Sequence, residues 1–193
     1  MVVFQYHRNG IRHEQIRLVY LKMSFTAGII TISDRSYRGE REDTGGPGIK
    51  SFLEKEGWEV IFYEIVPDEK EMIKKKLREM AQREPDIILT TGGTGLSPRD
   101  VTPEATLEVL DKQIPGFGEL MRLENYKQNK FAILSRGVCG IIKKSIVINL
   151  PGNPRGAIEN LSVLLPILPH GIKVLKSTIT DCKEDVRHGN QEL

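Results

Sequence analysis

Cysteine is almost absent from this chain. Its two, Cys139 and Cys182, are too few for a disulfide framework and read as free thiols of a cytoplasmic protein. Histidine is nearly as scarce: His7, His13, His170 and His188 are the four, none at zinc-ligand spacing from a cysteine. An excess of one charge is missing too. The 28 Lys and Arg against 26 Asp and Glu leave a net charge of +2, too small to argue for a nucleic-acid surface. No apolar run approaches the roughly 20 residues that span a bilayer. The N-terminal stretch carries Arg8, Arg12 and Arg17 but no continuous apolar segment of the signal-peptide kind. Membrane, secreted and nucleic-acid classes are set aside on these grounds.

What is present is 39% hydrophobic and 28% charged residues over 193 positions, the composition of a soluble globular protein with one domain and short additions. Residues 1–23, mixed and basic, are expected to lie outside that domain as an extension, with a short helix docked on the core as the alternative. Residues 24–176 are expected to form the domain and 177–193 a polar tail. From Ala27 the pattern is regular. Ala27–Ile32 reads as a strand, Ser33–Asp43 as a polar loop, and Thr44-Gly45-Gly46-Pro47 as the opening of a helix that stops at Gly57. Glu59–Ile65 is the next strand, and Ile73, Leu77 and Met80 mark one face of the next helix. Ile87-Ile88-Leu89 is a third, buried strand. A helix is expected from Pro115 to about Gln128. Ala132–Leu134 and Ile146–Leu150 are apolar runs of strand length, and a last helix carries Ile158, Leu161 and Leu165. Strands alternating with helices imply an α/β fold, three-layer α/β/α with a mainly parallel central sheet.

The stretch from Thr90 to Thr106, TTGGTGLSPRDVTPEAT, is the most informative. It follows a strand, passes Gly92, Gly93 and Gly95 among small hydroxyl residues, and reaches Thr102-Pro103, read as N-cap and first helical residue. Free N–H groups and a helix dipole end then meet at one spot, which suits an anion such as phosphate. Asn153 and Pro154 repeat the capping logic after Pro151-Gly152. The loops at Ser33, Asp68, Gly92 and Pro151 all follow strands, at the sheet edge where open α/β folds bind ligands. Asp68 and Asp100 should therefore face one crevice, where two carboxylates near phosphate suit Mg²⁺. Taken singly, Asp68 has the alternative of capping its own helix and Asp100 that of stabilising its turn. Asp34 and Asp43 are further candidates, with solvation of a surface loop as the plainer reading.

Other motifs fail on inspection. A Walker loop needs Gly-Lys-Ser/Thr where Gly95 is followed by Leu96-Ser97. The dinucleotide fingerprint breaks at Pro98, and the Gly95–Arg99 segment lacks the final glycine of a nucleophile elbow. No nucleophile–base pair is visible, which leaves chemistry by positioning and charge stabilisation, as in phosphoryl and nucleotidyl transfer.

Ile32-Ser33-Asp34-Arg35, Asp43-Thr44-Gly45-Gly46, Pro67-Asp68, the Thr90–Thr106 stretch, Leu134-Ser135-Arg136 and Asn149-Leu150-Pro151-Gly152-Asn153-Pro154 together resemble the molybdopterin adenylyltransferases, which include the gephyrin G domain and bacterial single-domain relatives. The likeness runs in unbroken order from about Phe25 to Lys176. It implies a Mg²⁺- and ATP-dependent enzyme of molybdenum cofactor biosynthesis that transfers AMP to the terminal phosphate of molybdopterin and releases pyrophosphate. It also implies a homotrimer and a partner protein that later inserts the metal. The family's catalytic and metal-binding aspartates fall on Asp68 and Asp100. Substrate-binding positions fall on Ser33, Asp34, Thr91, Gly92, Gly93, Thr94, Gly95, Ser97, Arg99, Thr102, Ser135, Arg136, Pro151, Gly152, Asn153 and Pro154. Non-catalytic molybdopterin-binding relatives differ chiefly around the acidic and Pro-Arg-Asp positions, and this chain keeps Pro98-Arg99-Asp100-Val101-Thr102-Pro103. The competing reading is a molybdopterin carrier or scaffold without chemistry, since glycine loops also bind phosphates they do not transform. A nucleotide-binding domain unrelated to pterins ranks below both.

Overall fold

Alternate residues of the central strands are apolar on both sides, so the sheet must be covered on both faces. The computed structural model describes residues 25–177 and bears this out. Its strands are β1 (Thr26–Ile32), β2 (Glu59–Val66), β3 (Ile87–Thr91), β4 (Lys112–Gln113), β5 (Cys139–Ile142) and β6 (Ser145–Leu150). Its helices are α1 (Asp34–Tyr37), α2 (Gly45–Lys55), α3 (Lys70–Ala81), α4 (Thr102–Leu107), α5 (Pro115–Tyr126), α6 (Pro154–Leu164) and α7 (Leu168–Leu175). The expected extension, most of the expected tail, and His7, His13, Cys182 and His188 lie outside the described residues. Among the described residues no single helix is long and apolar enough to cross a membrane.

The sheet order is β2-β1-β3-β6-β5-β4. β2, β1, β3 and β6 run parallel, while β5 and β4 are added antiparallel at one edge. On one face Ala27, Ile29, Ile87, Leu89, Ile146, Ile148 and Leu150 pack under Ile49 and Leu53 of α2 and under α5, α6 and α7. On the other, Ile30, Ile32, Ile88 and Val147 pack under Ile73, Leu77 and Met80 of α3 and Ala105 of α4. This is the expected three-layer α/β/α arrangement. Because the four parallel strands share one direction, the segments after Ile32, Val66, Thr91 and Leu150 emerge at one rim. The chain leaves β1 toward β2 on one side and returns to β3 on the other, so a crevice opens between β1 and β3.

Three local expectations change. Ala132–Leu134 is no strand: Lys130–Leu134 winds into a 3₁₀ turn capped by Asn129, whose side chain accepts from the Phe131 amide, and Phe131, Ile133 and Leu134 stand exposed. The Ser33–Asp43 segment is not all loop, because the Ser33 hydroxyl accepts from the Ser36 amide and starts α1. Thr102 is the first residue of α4, not its N-cap, and its buried hydroxyl is turned back onto the glycine loop. Asn153 does cap α6 as expected, accepting from the amides of Arg155 and Gly156 with Pro154 next in line.

Candidate active site

The glycine loop is shaped by close approach to backbone. Gly92 has φ +108°, and a Cβ there would sit 2.2 Å from the carbonyl oxygen of Ile32. Its amide donates to the Leu150 carbonyl (3.2 Å), so the loop threads between the ends of β1 and β6. Gly93, at φ +62°, lies where a Cβ would meet the Thr102 hydroxyl and come within 3.2 Å of Asp68 Oδ1. Only glycine satisfies both positions.

The loop's carbonyls are all turned inward. The Thr102 hydroxyl donates to Gly92 O (2.9 Å) and the Thr102 amide to Gly93 O (3.1 Å). The Arg136 amide donates to Thr94 O (2.9 Å), and its Nε donates to Gly95 O (2.7 Å). The same guanidinium donates to the Asp100 carbonyl and pairs with Glu104. By contrast, the amides of Gly93, Thr94, Gly95 and Leu96, and those of Gly152 and Asn153, donate to no acceptor among the described residues. A run of unengaged N–H groups with its carbonyls tied back is an anion-binding surface. Two nearby helix starts are not available for that purpose. Asn153 occupies α6, and the Asp43 carboxylate occupies α2, accepting from Gly45 (2.8 Å) and Gly46 (3.3 Å).

Two carboxylates border this surface. Asp68 Oδ2 accepts from the Asp34 amide (2.8 Å), and Asp100 Oδ2 accepts from the Ser97 amide (2.8 Å). Neither carboxylate's Oδ1 has a donor among the described residues. Asp68 does not cap its own helix, because Glu69 takes that position. Burial pushes its carboxyl above the ordinary range, and the nearby charges of Asp34 and Asp100 add to this while the Asp34 amide opposes it. Asp34 moves the other way: burial works against its charge, but hydrogen bonds from Arg99 and the Asp68 amide outweigh that and hold its carboxyl low.

The site is a cavity of about 820 Å³ lined by Ser33, Asp43, Asp68, Thr91, Gly92, Gly93, Asp100, Gly152, Asn153 and Pro154, among others. A second lobe of about 610 Å³ is lined by Thr94, Gly95, Ser135 and Pro151 with Leu96, Phe131 and Asn160. The two share Gly93, Asp100, Gly152 and Asn153, so they meet at the glycine loop. Asp68 and Asp100, far apart in sequence, thus face one space. Five of the expected substrate-binding residues line neither lobe. Asp34, Ser97, Arg99, Thr102 and Arg136 hold the loops that do, through the bonds given above and below. Sequence reasoning passed over Arg41, Glu42 and Thr44, which line the larger lobe. Asp43, a further candidate whose plainer reading is loop solvation, lines the larger lobe, and its carboxylate accepts from the Thr31 hydroxyl (2.6 Å) and the Tyr63 hydroxyl (2.6 Å) besides the α2 amides. A loop aspartate two residues before a Gly-Gly helix start was the available signal.

The same segments carry likeness to known proteins. Residues 28–170 match the family described as "Probable molybdopterin binding domain". The molybdopterin adenylyltransferase of Helicobacter pylori (strain ATCC 700392 / 26695) is 42% identical over 151 residues, which cover 77% of this chain and 86% of that one. The Drosophila melanogaster molybdenum cofactor synthesis protein cinnamon is 40% identical over 159 residues, and the chain spans about a quarter (26%) of its length. Among solved structures, the molybdopterin biosynthesis enzyme MoaB of Thermus thermophilus superposes with a TM-score of 0.75 at 51% identity, covering 79% of this chain and 97% of that one. With a match over most of its length and a relative covered over 86% of its own, the chain belongs to the molybdopterin-binding domain family of molybdenum cofactor biosynthesis.

Proposed function

We propose that this protein is a molybdopterin adenylyltransferase, a nucleotidyltransferase that joins AMP from ATP to the terminal phosphate of molybdopterin. One observation carries the reading: unengaged oxygens of Asp68 and Asp100 border a run of unengaged amides within one cavity, in a chain of this family. In the reaction an oxygen of the molybdopterin phosphate attacks the α-phosphorus of ATP. A P–O bond forms there, the bond to the bridging oxygen breaks, and pyrophosphate leaves with the electron pair. A phosphate monoester is already largely ionised at neutral pH, its second pKa being about 6, so the nucleophile needs no general base. That accounts for chemistry in loops that hold no nucleophile–base pair.

The work left to the chain is positioning. The amides of Gly93 to Leu96, with Gly152 and Asn153, would hold phosphate oxygens in line, while Ser33, Thr91, Thr94, Ser135, Pro151 and Pro154 shape the two lobes. Among the described residues no three His, Cys, Asp or Glu side chains converge on a metal. Mg²⁺ does not require such a cage, since it binds through one or two carboxylates plus phosphate and water. The residues present fit it: Asp68 and Asp100 each offer an oxygen with no donor among the described residues, and both line the same cavity. Asp68 and Asp100 would hold Mg²⁺, which would supply positive charge to offset that of the phosphates.

The test is pyrophosphate release from ATP and Mg²⁺ with molybdopterin present. Asp100→Ala should keep molybdopterin binding and lose AMP transfer by at least ~10²-fold. A wild-type protein that binds molybdopterin and releases no pyrophosphate is the carrier of the competing reading. The family resemblance also supports a homotrimer, with exposed Phe131, Ile133, Leu134 and Leu123 as apolar surface for copies to cover. Light scattering of the purified chain decides that. Use of ATP and the buried free thiol of Cys139 support a cytoplasmic setting.

A further inference from the structure

We infer that Arg99 is a positioning residue: through Asp34 its guanidinium holds the Asp100 turn against the Asp68 loop and so sets the separation of the two carboxylates. The inference rests on the adenylyltransferase reading above.

Three segments at the rim are concerned: the start of α1 with Asp34, the β2–α3 loop with Asp68 and Glu69, and the β3–α4 loop with Asp100. Arg99 joins all three. Its Nε donates to Asp34 Oδ2 (3.1 Å), and its Nη2 donates to Asp34 Oδ2 (2.8 Å), Asp34 Oδ1 (3.0 Å) and Glu69 Oε1 (3.0 Å). Asp34 passes the connection on, accepting from the Asp68 amide at Oδ1 (3.1 Å) and donating its own amide to Asp68 Oδ2 (2.8 Å). On the other side Arg99 is bonded to Asp100 within a turn that is closed twice. The Asp100 amide donates to Ser97 O (2.9 Å), and Asp100 Oδ2 accepts from the Ser97 amide (2.8 Å). A single guanidinium therefore links the segments that carry the two carboxylates that would share the cation, and it lines neither lobe of the cavity.

The alternatives make different demands. As a plain surface ion pair, with its side chain 54% exposed, Arg99 would contribute little to anything. As a substrate-phosphate ligand it would affect binding of ATP or molybdopterin. As a positioning residue it affects the metal and the chemical step while leaving both the fold and substrate affinity alone. Lysine carries the charge but not the planar fork that grips two oxygens, so it is a poor substitute.

The experiment compares wild type, Arg99→Met, Arg99→Lys and the double variant Asp34→Asn/Arg99→Met in the full chain. Pyrophosphate release gives kcat and the KM for ATP, and Mn²⁺ binding is followed by electron paramagnetic resonance. Arg99→Met should lower both kcat and Mn²⁺ affinity by about 10–100-fold. Its KM for ATP and its thermal midpoint should stay at the wild-type values, and Arg99→Lys should recover little. The double variant should be no worse than Arg99→Met, because both residues act in one connection. Unchanged kcat and Mn²⁺ affinity, a raised KM with kcat intact, or additive losses in the double variant would each overturn the inference. A wild-type protein without pyrophosphate release sinks the function reading instead, and the Mn²⁺ comparison still decides the role of Arg99.

Discussion

Asp34 and Asp68 clasp one another through their backbones. The amide of Asp34 donates to Asp68 Oδ2 at 2.8 Å, and the amide of Asp68 donates to Asp34 Oδ1 at 3.1 Å. Each residue thereby aims the other's carboxylate, and the outcome is unequal. Asp34 commits its oxygens to Arg99 and the Asp68 amide, whereas Asp68 keeps Oδ1 for the cavity. Truncation of Asp34 should therefore loosen Asp68 without emptying the site. Asp34→Ala is expected to lower kcat by about 10-fold with molybdopterin affinity retained. Isothermal titration alongside turnover measures both, and an Asp34→Ala enzyme with full kcat would contradict the clasp's role.

Arg136 supports a separate prediction. Its guanidinium and amide satisfy the carbonyls of Thr94, Gly95 and Asp100, which keeps the loop's amides turned to the cavity. Removal of the guanidinium takes the donor from the Gly95 and Asp100 carbonyls, a loss of about 1.5–3 kcal/mol for bonds to a charged group. Arg136→Ala should show that loss in urea denaturation together with weakened molybdopterin binding. Arg136→Lys should restore little, since one ammonium cannot reach the same set of oxygens in the same plane.

The rim and the two-sided sheet were legible in the sequence because both follow from local pattern. Ile29, Ile87 and Ile148 announce buried strands, and Ile73, Leu77 and Met80 a helix face, with no knowledge of contacts. Asp68 and Asp100 could then be placed together because every parallel strand delivers its following loop to one edge. What stayed hidden depends on partners distant in sequence. The structural ties of Arg136 are one case: its acceptors Gly95 and Asp100 lie 41 and 36 residues away. For Asp43, itself a candidate on sequence, loop solvation is the plainer reading because Thr31 and Tyr63, its hydroxyl partners, sit on two different strands. Lys130–Leu134 misled for the opposite reason: its apolar residues are not core, and nothing local says so.

Cys139 gives the protein an alkaline signature. The thiol is 2% exposed, and burial pushes it up to about 12 from an ordinary value of 9.0, although a backbone hydrogen bond from Asn149 works against this. For an acid whose pKa is raised on folding, the unfolded chain gives up its proton first as pH rises. The protonated thiol's contribution is thus complete below pH 9 and lost progressively between 9 and 12. Stability should fall on this account by as much as about 1.4 kcal/mol per pH unit. Tyr63, also raised by burial and its bond to Asp43, adds to the fall only above its ordinary value of 10.0. The difference between wild type and Cys139→Ala in chemical denaturation should therefore shrink as pH moves from about 9 to about 10. A pH-independent difference would show that the thiol ionises as readily folded as unfolded.

Asp43 raises the question of where phosphate does not bind. The 11-residue helix α2 presents its start to the cavity, with Thr44 and Gly45 in the lining, and its dipole favours an anion there. The protein supplies that anion itself. The Asp43 carboxylate takes the Gly45 and Gly46 amides and adds the hydroxyls of Thr31 and Tyr63, tying α2 to β1 and β2. A Cβ at Gly46 would lie 2.8 Å from Asp43 Oδ2, so the fit at this corner is close. On the proposed function, an internal carboxylate at this position would keep substrate phosphates away from α2 and leave them to the amides of Gly93 to Leu96. Asp43→Ala should accordingly do two opposite things. Loss of the cap and of two hydroxyl bonds should cost about 2–4 kcal/mol in urea denaturation. The exposed amides should meanwhile let inorganic phosphate stabilise the variant more than it stabilises wild type, seen as a larger rise in thermal midpoint at equal phosphate concentration. Asp43→Asn, which keeps an acceptor for the amides, should lose less stability and show a smaller gain with phosphate. If phosphate stabilises Asp43→Ala no more than wild type, the carboxylate is a structural cap alone and plays no part in steering phosphate along the rim.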